Sequence, residues 1–323
     1  MKIQKKKSEL TVLIVIMFTV FGLMIAVNGL SFLSVNNLQN MAFQLPELGI
    51  LSLAMMVVML TGGINLSIIS TANMAGITAA LILTSGEGAV SGGIVFIALL
   101  AALAVSIIIG ILNGVLIAYI GITPILATLG TMTLLNGIAI VITKGYVISG
   151  FPDAIRFIGN GIVLGIPFPL LVFIAAAILM AFILNKTPSG FSMYMLGSNE
   201  TATQFSGIDN ARVILKTYVI SGVFSGIAAL VMISRFNSAR SGYGDSYLLV
   251  TILASVLGGV NSEGGFGRVS GVVIALVTLQ MISSGLNLMR VSAFMTTAIW
   301  GLIMLVVMII NYLIDKKSGG RYG

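Results

Sequence analysis

The chain alternates between long apolar runs and short polar interruptions, and the length of the runs is the first informative quantity. Ten can be drawn: Leu10 to Leu30, Leu45 to Leu60, Ser67 to Leu83, Ile94 to Ile120, Pro124 to Ile142, Phe168 to Leu184, Val213 to Ile233, Tyr247 to Leu257, Val269 to Leu288 and Ala293 to Ile314. Most approach the length a helix needs to cross hydrocarbon. Lipid obliges every backbone N–H and C=O to bond internally, which leaves helices and closed barrels as spanning forms. A barrel would show short alternating segments in place of continuous runs. The pattern predicts an all-α polytopic membrane protein of about ten transmembrane helices, forming one transmembrane domain over residues 1–323. The second run opens on Pro46 and Glu47, which suit a first helical turn and the positive end of a helix dipole. The eighth is short enough to be tilted, re-entrant or completed by its neighbours.

Composition agrees. The chain is 58% hydrophobic and 8% charged, with a mean hydropathy of +1.14, whereas soluble chains are about 25% charged. Cys and His are both absent, which excludes thiolate and imidazole chemistry, zinc sites of the usual kind and haem ligation. The net charge of +7 does not point to nucleic acid, because the basic residues are scattered over loops and ends. The first run follows a basic start but is too long for a cleavable signal and lacks a clear cleavage site.

An even number of spans puts both termini on one side, and the excess of Lys and Arg on cytoplasmic loops names it. Lys2, Lys5, Lys6, Lys7, Lys186, Arg212, Lys216, Arg268, Lys316, Lys317 and Arg321 fall inside, and Lys144, Arg156, Arg235, Arg240 and Arg290 outside, 11 against 5 of the 16. Both termini are expected in the cytoplasm of a multi-pass bacterial inner-membrane protein. The loop from Asn185 to Arg212 then lies inside, and the Gly- and Pro-bearing loop from Lys144 to Pro167 outside. The nine acidic residues fall in loops and at span ends, with none expected deep in a span.

The inner loop holds a polar island, LGSNETATQFSGIDNAR from Leu196 to Arg212. Ser198 or Asn199 can cap a short helix, Glu200 and Thr201 suit its first turn, and Gly207 can end it. The reading is a surface helix from Asn199 to Ser206 with Phe205 as its one large apolar side chain. A docking element and a plain connector are both open on these residues alone. A weaker echo links GGIN (Gly62 to Asn65) with GGVN (Gly258 to Asn261), as duplicated transporter halves can show.

The segment LGSNETATQFSGI resembles the cytoplasmic coupling helix of permease subunits from bacterial ABC importers, and more narrowly their ribose/xylose/galactoside branch. Supporting pieces occur in order along most of the chain: LTGGINLSIIS (Leu60 to Ser70), NGVLIAYIGITPILATLGTM (Asn113 to Met132), YVISGVFSGIAALVMISR (Tyr218 to Arg235) and VLGGVNSEGGFG (Val256 to Gly267). Asn65 stands where that branch usually has Asp, and Thr203 where a second Ala is common. The substitution of Asn for Asp either alters solute choice or, if the residue caps the third helix, changes little.

The resemblance implies a transporter subunit and not an enzyme. It implies translocation of a neutral sugar-like solute, driven by a separate cytoplasmic ABC ATPase subunit that uses ATP and Mg. A periplasmic or lipid-anchored solute-binding protein would deliver the solute, and a second permease copy or paralogue would complete the pore. The chain itself has no G-x-x-x-x-G-K-[ST] phosphate loop and is expected to bind no cofactor, metal or nucleic acid, with lipid as its surroundings. By the same resemblance Gly197, Ser198, Asn199, Glu200, Thr201, Ala202 and Gly207 contact the ATPase.

Uncharged polar residues at Asn65, Asn73, Asn113, Thr131, Asn136, Gln280 and Asn287 are candidates to line the pathway, since a hydroxyl-rich neutral solute needs such partners. Each can equally fasten helices together. The G-x-x-x-G steps Gly110/Gly114 and Gly222/Gly226 point to close helix packing. A stand-alone secondary transporter of a small neutral solute is the main alternative, and it would need intramembrane coupling-ion ligands. An ABC permease for a nucleoside or a furanosyl autoinducer is another.

Overall fold

A computed structural model describes residues 2–85 and 92–317, with side chains described from 10 to 85 and 92 to 309. Arg321, assigned above to the inner side, lies outside the described residues. The chain is an all-α polytopic membrane protein. In order its elements are α1 (Lys2–Asn28), a 3₁₀ turn (Gly29–Leu33), α2 (Val35–Met59), α3 (Ile68–Leu83), α4 (Gly92–Ala118), α5 (Pro124–Thr143), β1 (Ile148–Ser149), α6 (Asp153–Asn160), β2 (Ile162–Val163), β3 (Ile166–Pro167), α7 (Phe168–Lys186), α8 (Pro188–Ser198), α9 (Glu200–Phe205), α10 (Asn210–Phe236), β4 (Ser238–Ala239), α11 (Tyr247–Leu257), α12 (Val269–Leu288) and α13 (Ala293–Lys317). Seven of the described helices are long and apolar enough to cross a membrane, and three shorter apolar helices (Ile68–Leu83, Tyr247–Leu257 and Ala293–Ile309) accompany them.

The core forms around α2, which packs against α7, α10, α11 and α12. From Ile50 to Leu60 every α2 side chain is buried, as expected of a helix that is apolar on all sides. By contrast the apolar window of α1 is not buried at all within the chain, so it presents its apolar residues outward. The most extensive packing joins α4 to α10, and the two G-x-x-x-G steps make it possible. A Cβ on Gly110 would come within 2.7 Å of the Tyr218 carbonyl, one on Gly114 within 2.7 Å of Leu215, and one on Gly222 against the Ser106 carbonyl. Here small residues let two backbones approach closely.

The second span differs from the sequence reading. It does not open at Pro46 and Glu47; α2 begins at Val35, capped by Ser34, whose Oγ accepts from the Asn37 N–H at 3.3 Å. Pro46 and Glu47 therefore lie in mid-helix, and an acidic residue does sit deep in a spanning helix, contrary to expectation. The extra turns were hidden because they are polar, and two of their polar side chains are occupied inside the bundle. Asn37 Oδ1 accepts from Ser284 Oγ at 2.7 Å, and Gln44 Oε1 accepts from Gln280 Nε2 at 3.1 Å, both across to α12.

The loop from Lys144 to Pro167 is also more ordered than its composition implied. It contains α6 and three two-residue strands, of which β1 pairs antiparallel with β4 (Ile148 opposite Ala239) and β2 with β3. Gly159 on α6 presses against α10, its N–H donating to Ser234 Oγ at 2.5 Å, and Ser234 Oγ bonds the Ile155 carbonyl.

Candidate functional site

The short helix expected in the polar island is α9, and a second helix, α8, precedes it in the inner loop. Thr187 caps α8 by accepting from the Gly190 N–H at 3.2 Å, with Pro188 in the first turn, where its missing N–H costs nothing. The chain then extends at Asn199, φ −166° and ψ 105°, and Asn199 Oδ1 accepts from the Ala202 N–H at 2.8 Å. Of the two caps the sequence allowed, Asn199 is the one used. Gly207, at φ +80°, and a bond from the Ile208 N–H to the Thr203 carbonyl at 3.3 Å close α9, the left-handed cap that glycine favours. Asn210 Nδ2 donates to the Glu200 carbonyl at 3.0 Å and so ties α9 to the first turn of α10.

Six of the seven residues expected to meet an ATPase share the exposed surface of this arm: Ser198, Asn199, Glu200, Thr201, Ala202 and Gly207. Phe205, 88% exposed, projects beside them. Thr203 is the buried side chain of α9 and bonds the Asn199 carbonyl at 2.7 Å. Gly197 is placed differently. It faces the bundle, between Leu60 and Gly265.

Two loops meet there. The α2–α3 loop starts with a left-handed Gly62 (φ +80°) and a bond from the Gly63 N–H to the Val58 carbonyl; the α11–α12 loop starts with Gly259 (φ +81°) and a bond from the Val260 N–H to the Ser255 carbonyl. The GGIN/GGVN echo is thus one residue out of step in its glycines. It is in step at the asparagines. Asn65 Oδ1 accepts from the Ser67 N–H and Asn261 Oδ1 from the Glu263 N–H, each at 3.1 Å, the same two-residue side-chain turn. The loops touch where the Gly265 N–H donates to the Leu60 carbonyl at 2.9 Å. Tyr194 on α8 reaches the second loop, its hydroxyl donating to the Gly267 carbonyl at 2.9 Å. Burial raises the Tyr194 phenol above its ordinary pKa, and the Arg268 charge pulls it only partway back, so this donor stays protonated at neutral pH.

Of the pathway candidates, Asn65, Asn113 and Thr131 come together. Asn65 Nδ2 donates to Ser221 Oγ at 3.1 Å, Asn65 Oδ1 accepts from Ser67 Oγ at 2.8 Å, Asn113 Nδ2 donates to Ser67 Oγ at 2.8 Å, and Thr131 Oγ1 donates to Asn113 Oδ1 at 2.7 Å. This buried net joins the start of α3 to α4, α5 and α10. Asn65 does not cap α3, whose N-terminal boundary residue is Ser67; it closes the turn just before it. The remaining candidates are dispersed. Gln280 pairs with Gln44. Asn73 is buried with Nδ2 unpartnered, beside a cavity of ≈ 10 Å³ bordered also by Arg240 and Tyr243, about the room of one water and far too small for a sugar. Asn136 is half-exposed on α5, and Asn287 is exposed in the last turn of α12.

Sequence reasoning missed the polar cluster at the end opposite the island. Glu47 Oε1 accepts from Arg235 at 2.5 Å and from the Tyr247 hydroxyl at 2.6 Å, joining α2, α10 and α11. Glu47 is 1% exposed and Arg235 20% by side chain, so Arg235, read as an outer-loop charge, belongs to the last turn of α10. The signal that could have found the pair is the rarity of charge in an apolar run, since an acid there requires a basic partner.

With this geometry in hand, comparison with known proteins is informative. Residues 37–311 match the family model described as branched-chain amino acid transport system / permease component. The chain is similar to the ribose import permease protein RbsC of Bacillus subtilis (strain 168), 34% identical over 290 residues, covering 89% of this chain and 87% of that protein. It is 35% identical to the ribose import permease protein RbsC of Haemophilus influenzae, covering 88% of each. It is 32% identical to the autoinducer 2 import system permease protein LsrD of Yersinia enterocolitica, covering 81% of this chain and 79% of that one. No solved structure matches the chain.

Proposed function

The chain belongs to the branched-chain amino acid transport system / permease component family, and from that premise we propose that it is the membrane-spanning permease subunit of an ABC importer for a ribose-like sugar. The observation that carries the reading is likeness to ribose import permeases over nearly nine-tenths of the chain. The similarity to an autoinducer 2 import permease keeps a second solute in play. As a permease subunit the chain is not itself the enzyme of the system; ATP and Mg are used by a separate cytoplasmic ATPase subunit.

In this reading the seven long and three short apolar helices make ten crossings of the bacterial inner membrane with both termini in the cytoplasm. The 11-to-5 division of basic residues supports it. The exposed surface of α9, with Glu200, Thr201, Ala202 and the Phe205 side chain, docks the ATPase. A binding protein approaches the other side, over α6 and the β1–β4 pair. The Asn65–Asn113–Thr131 net serves as fastening, because its polar atoms are occupied by one another. A second permease subunit faces α5, where Gly130 and Gly137 have open space above them and where Thr133 and the half-exposed Asn136 lie beside them.

Reconstitution tests the reading. Proteoliposomes holding this chain, its ATPase and its binding protein are expected to accumulate ribose only with internal ATP. The double variant Glu200→Lys, Ala202→Trp is expected to remain in the membrane and lose ATP-driven uptake. Uphill uptake by the purified chain alone, driven by an ion gradient, would overturn it in favour of a secondary transporter.

A further inference from the structure

Besides the Tyr194 bond and the packed Met193 and Leu196 side chains, the island arm meets the bundle through direct backbone contact. A Cβ on Gly197 would collide with the Leu60 carbonyl and the Gly265 N–H. One on Gly264, at φ +96°, would lie 2.7 Å from the Gly62 nitrogen and 2.9 Å from the Gly197 Cα, and one on Gly265 would lie 2.8 Å from the Ser198 nitrogen. Three segments far apart in sequence are thus in direct main-chain contact, and the Gly265 N–H to Leu60 carbonyl bond binds two of them. Leu60 and Gly62 sit between the end of α2 and the start of α3, and Gly264 and Gly265 sit between the end of α11 and the start of α12. The last turn of α8 is therefore seated where four helices end.

We propose that this glycine junction is the positioning element that couples the arm to the bundle. It carries the displacement of α8–α9 into the α2–α3 and α11–α12 pairs together, and the arm and the two loops move as one rigid body. The proposal rests on the importer reading above and deepens it. Its physical ground is stiffness. A contact between side chains can yield by rotamer changes, whereas main chain packed against main chain has no such freedom, and close-packed interfaces switch between discrete arrangements instead of deforming. Gly197 lies in a helix with no left-handed φ, so Gly197→Ala carries no φ strain of its own, and its methyl group acts by displacing the Leu60 and Gly265 main chain.

The test uses the full complex in proteoliposomes and reads solute imported per ATP hydrolysed. Gly197→Ala is expected to keep the ATPase bound and hydrolysing while import per ATP falls about tenfold, within the usual range for coupling between distant sites. Gly301→Ala on α13, with open space around it, is expected to behave as wild type. The rigid-body claim is tested in a background that has no native cysteine. Spin labels at Gln204→Cys and Glu263→Cys, both at exposed positions, are expected to hold one separation in the nucleotide-free and ATP-trapped states. Unchanged import per ATP in Gly197→Ala, or a label separation that shifts by several ångströms between states, overturns the junction. Wild-type uptake that needs no ATPase, read before any variant, removes the importer reading and the junction with it.

Discussion

The two ends of the bundle are held by opposite means. At the island end, Gly197, Leu60, Gly264 and Gly265 bring three segments into main-chain contact. At the far end, Glu47, Arg235 and Tyr247 hold three helices by charge and hydrogen bonding. The first kind of contact depends on the absence of side-chain atoms, and added bulk breaks it. The second depends on the pairing of two charges that lipid would otherwise penalise, and losing either charge breaks it.

The largest effect should come from breaking the far-end cluster. Removing one member of a buried ion pair leaves the other charge uncompensated, at a cost of about 3–5 kcal/mol. Arg235 reaches partly outward, so Glu47→Ala should fall near the lower end of that range. It should appear as a lowered apparent unfolding midpoint in nanodiscs, and Glu47→Ala combined with Arg235→Ala should recover part of the loss. A double variant no more stable than the single one would mean that the Tyr247 bond, not the charge pair, holds this end.

A smaller effect is expected at the polar net near the island end. Asn113→Ala leaves Thr131 Oγ1 without its acceptor and takes one of the two bonds of Ser67 Oγ, and should cost about 1 kcal/mol, since hydrogen bonds between helices in lipid are worth roughly 0.6–1.7 kcal/mol. Asn65→Asp should cost more, because the net offers a buried carboxylate only hydroxyl and amide partners and no basic residue. Unfolding midpoints of the two variants side by side check that order.

The smallest effect lies in the arm itself. Asn199→Ala removes a helix cap worth about 1 kcal/mol. It should speed amide exchange over Glu200–Phe205 about fivefold and leave the Glu47 cluster unaltered. Equal protection of α9 in both proteins would show that Asn210 and Thr203, not the cap, hold the arm.

Much of the fold was legible. The eighth and ninth runs coincide residue for residue with α11 and α12, because glycine or polar segments bound both and no charge interrupts them. The second run was misread since Pro46 and Glu47 mimic a helix start, and because the true first turns place Asn37 and Gln44 against α12. The first half of the inner loop, α8, was missed because Gly190 and Ser192 interrupt its apolar pattern. Only the packed position of Met193 and Leu196 shows the helix. Asn199 was legible as a cap because capping is local chemistry. The junction was not, because Gly62, Gly197 and Gly264 are far apart in sequence and a glycine that permits contact leaves no periodic trace. The GGIN/GGVN echo was visible, but its content lies in the two asparagines.

One helix touches both ends. The first turn of α10 holds α9 through Asn210, its last turn carries Arg235, and Gly222, where it crosses α4 most closely, lies near its middle. At 1.5 Å per residue the arms on either side of that crossing are about 18 and 21 Å long. With that crossing as a pivot, a tilt of about 5° would swing the tips in opposite senses by roughly 1.6–1.8 Å. A see-saw of that size would span the difference between a hydrogen bond and a gap, and would link the Asn210 end of α10 to the Arg235 end without any helix having to bend.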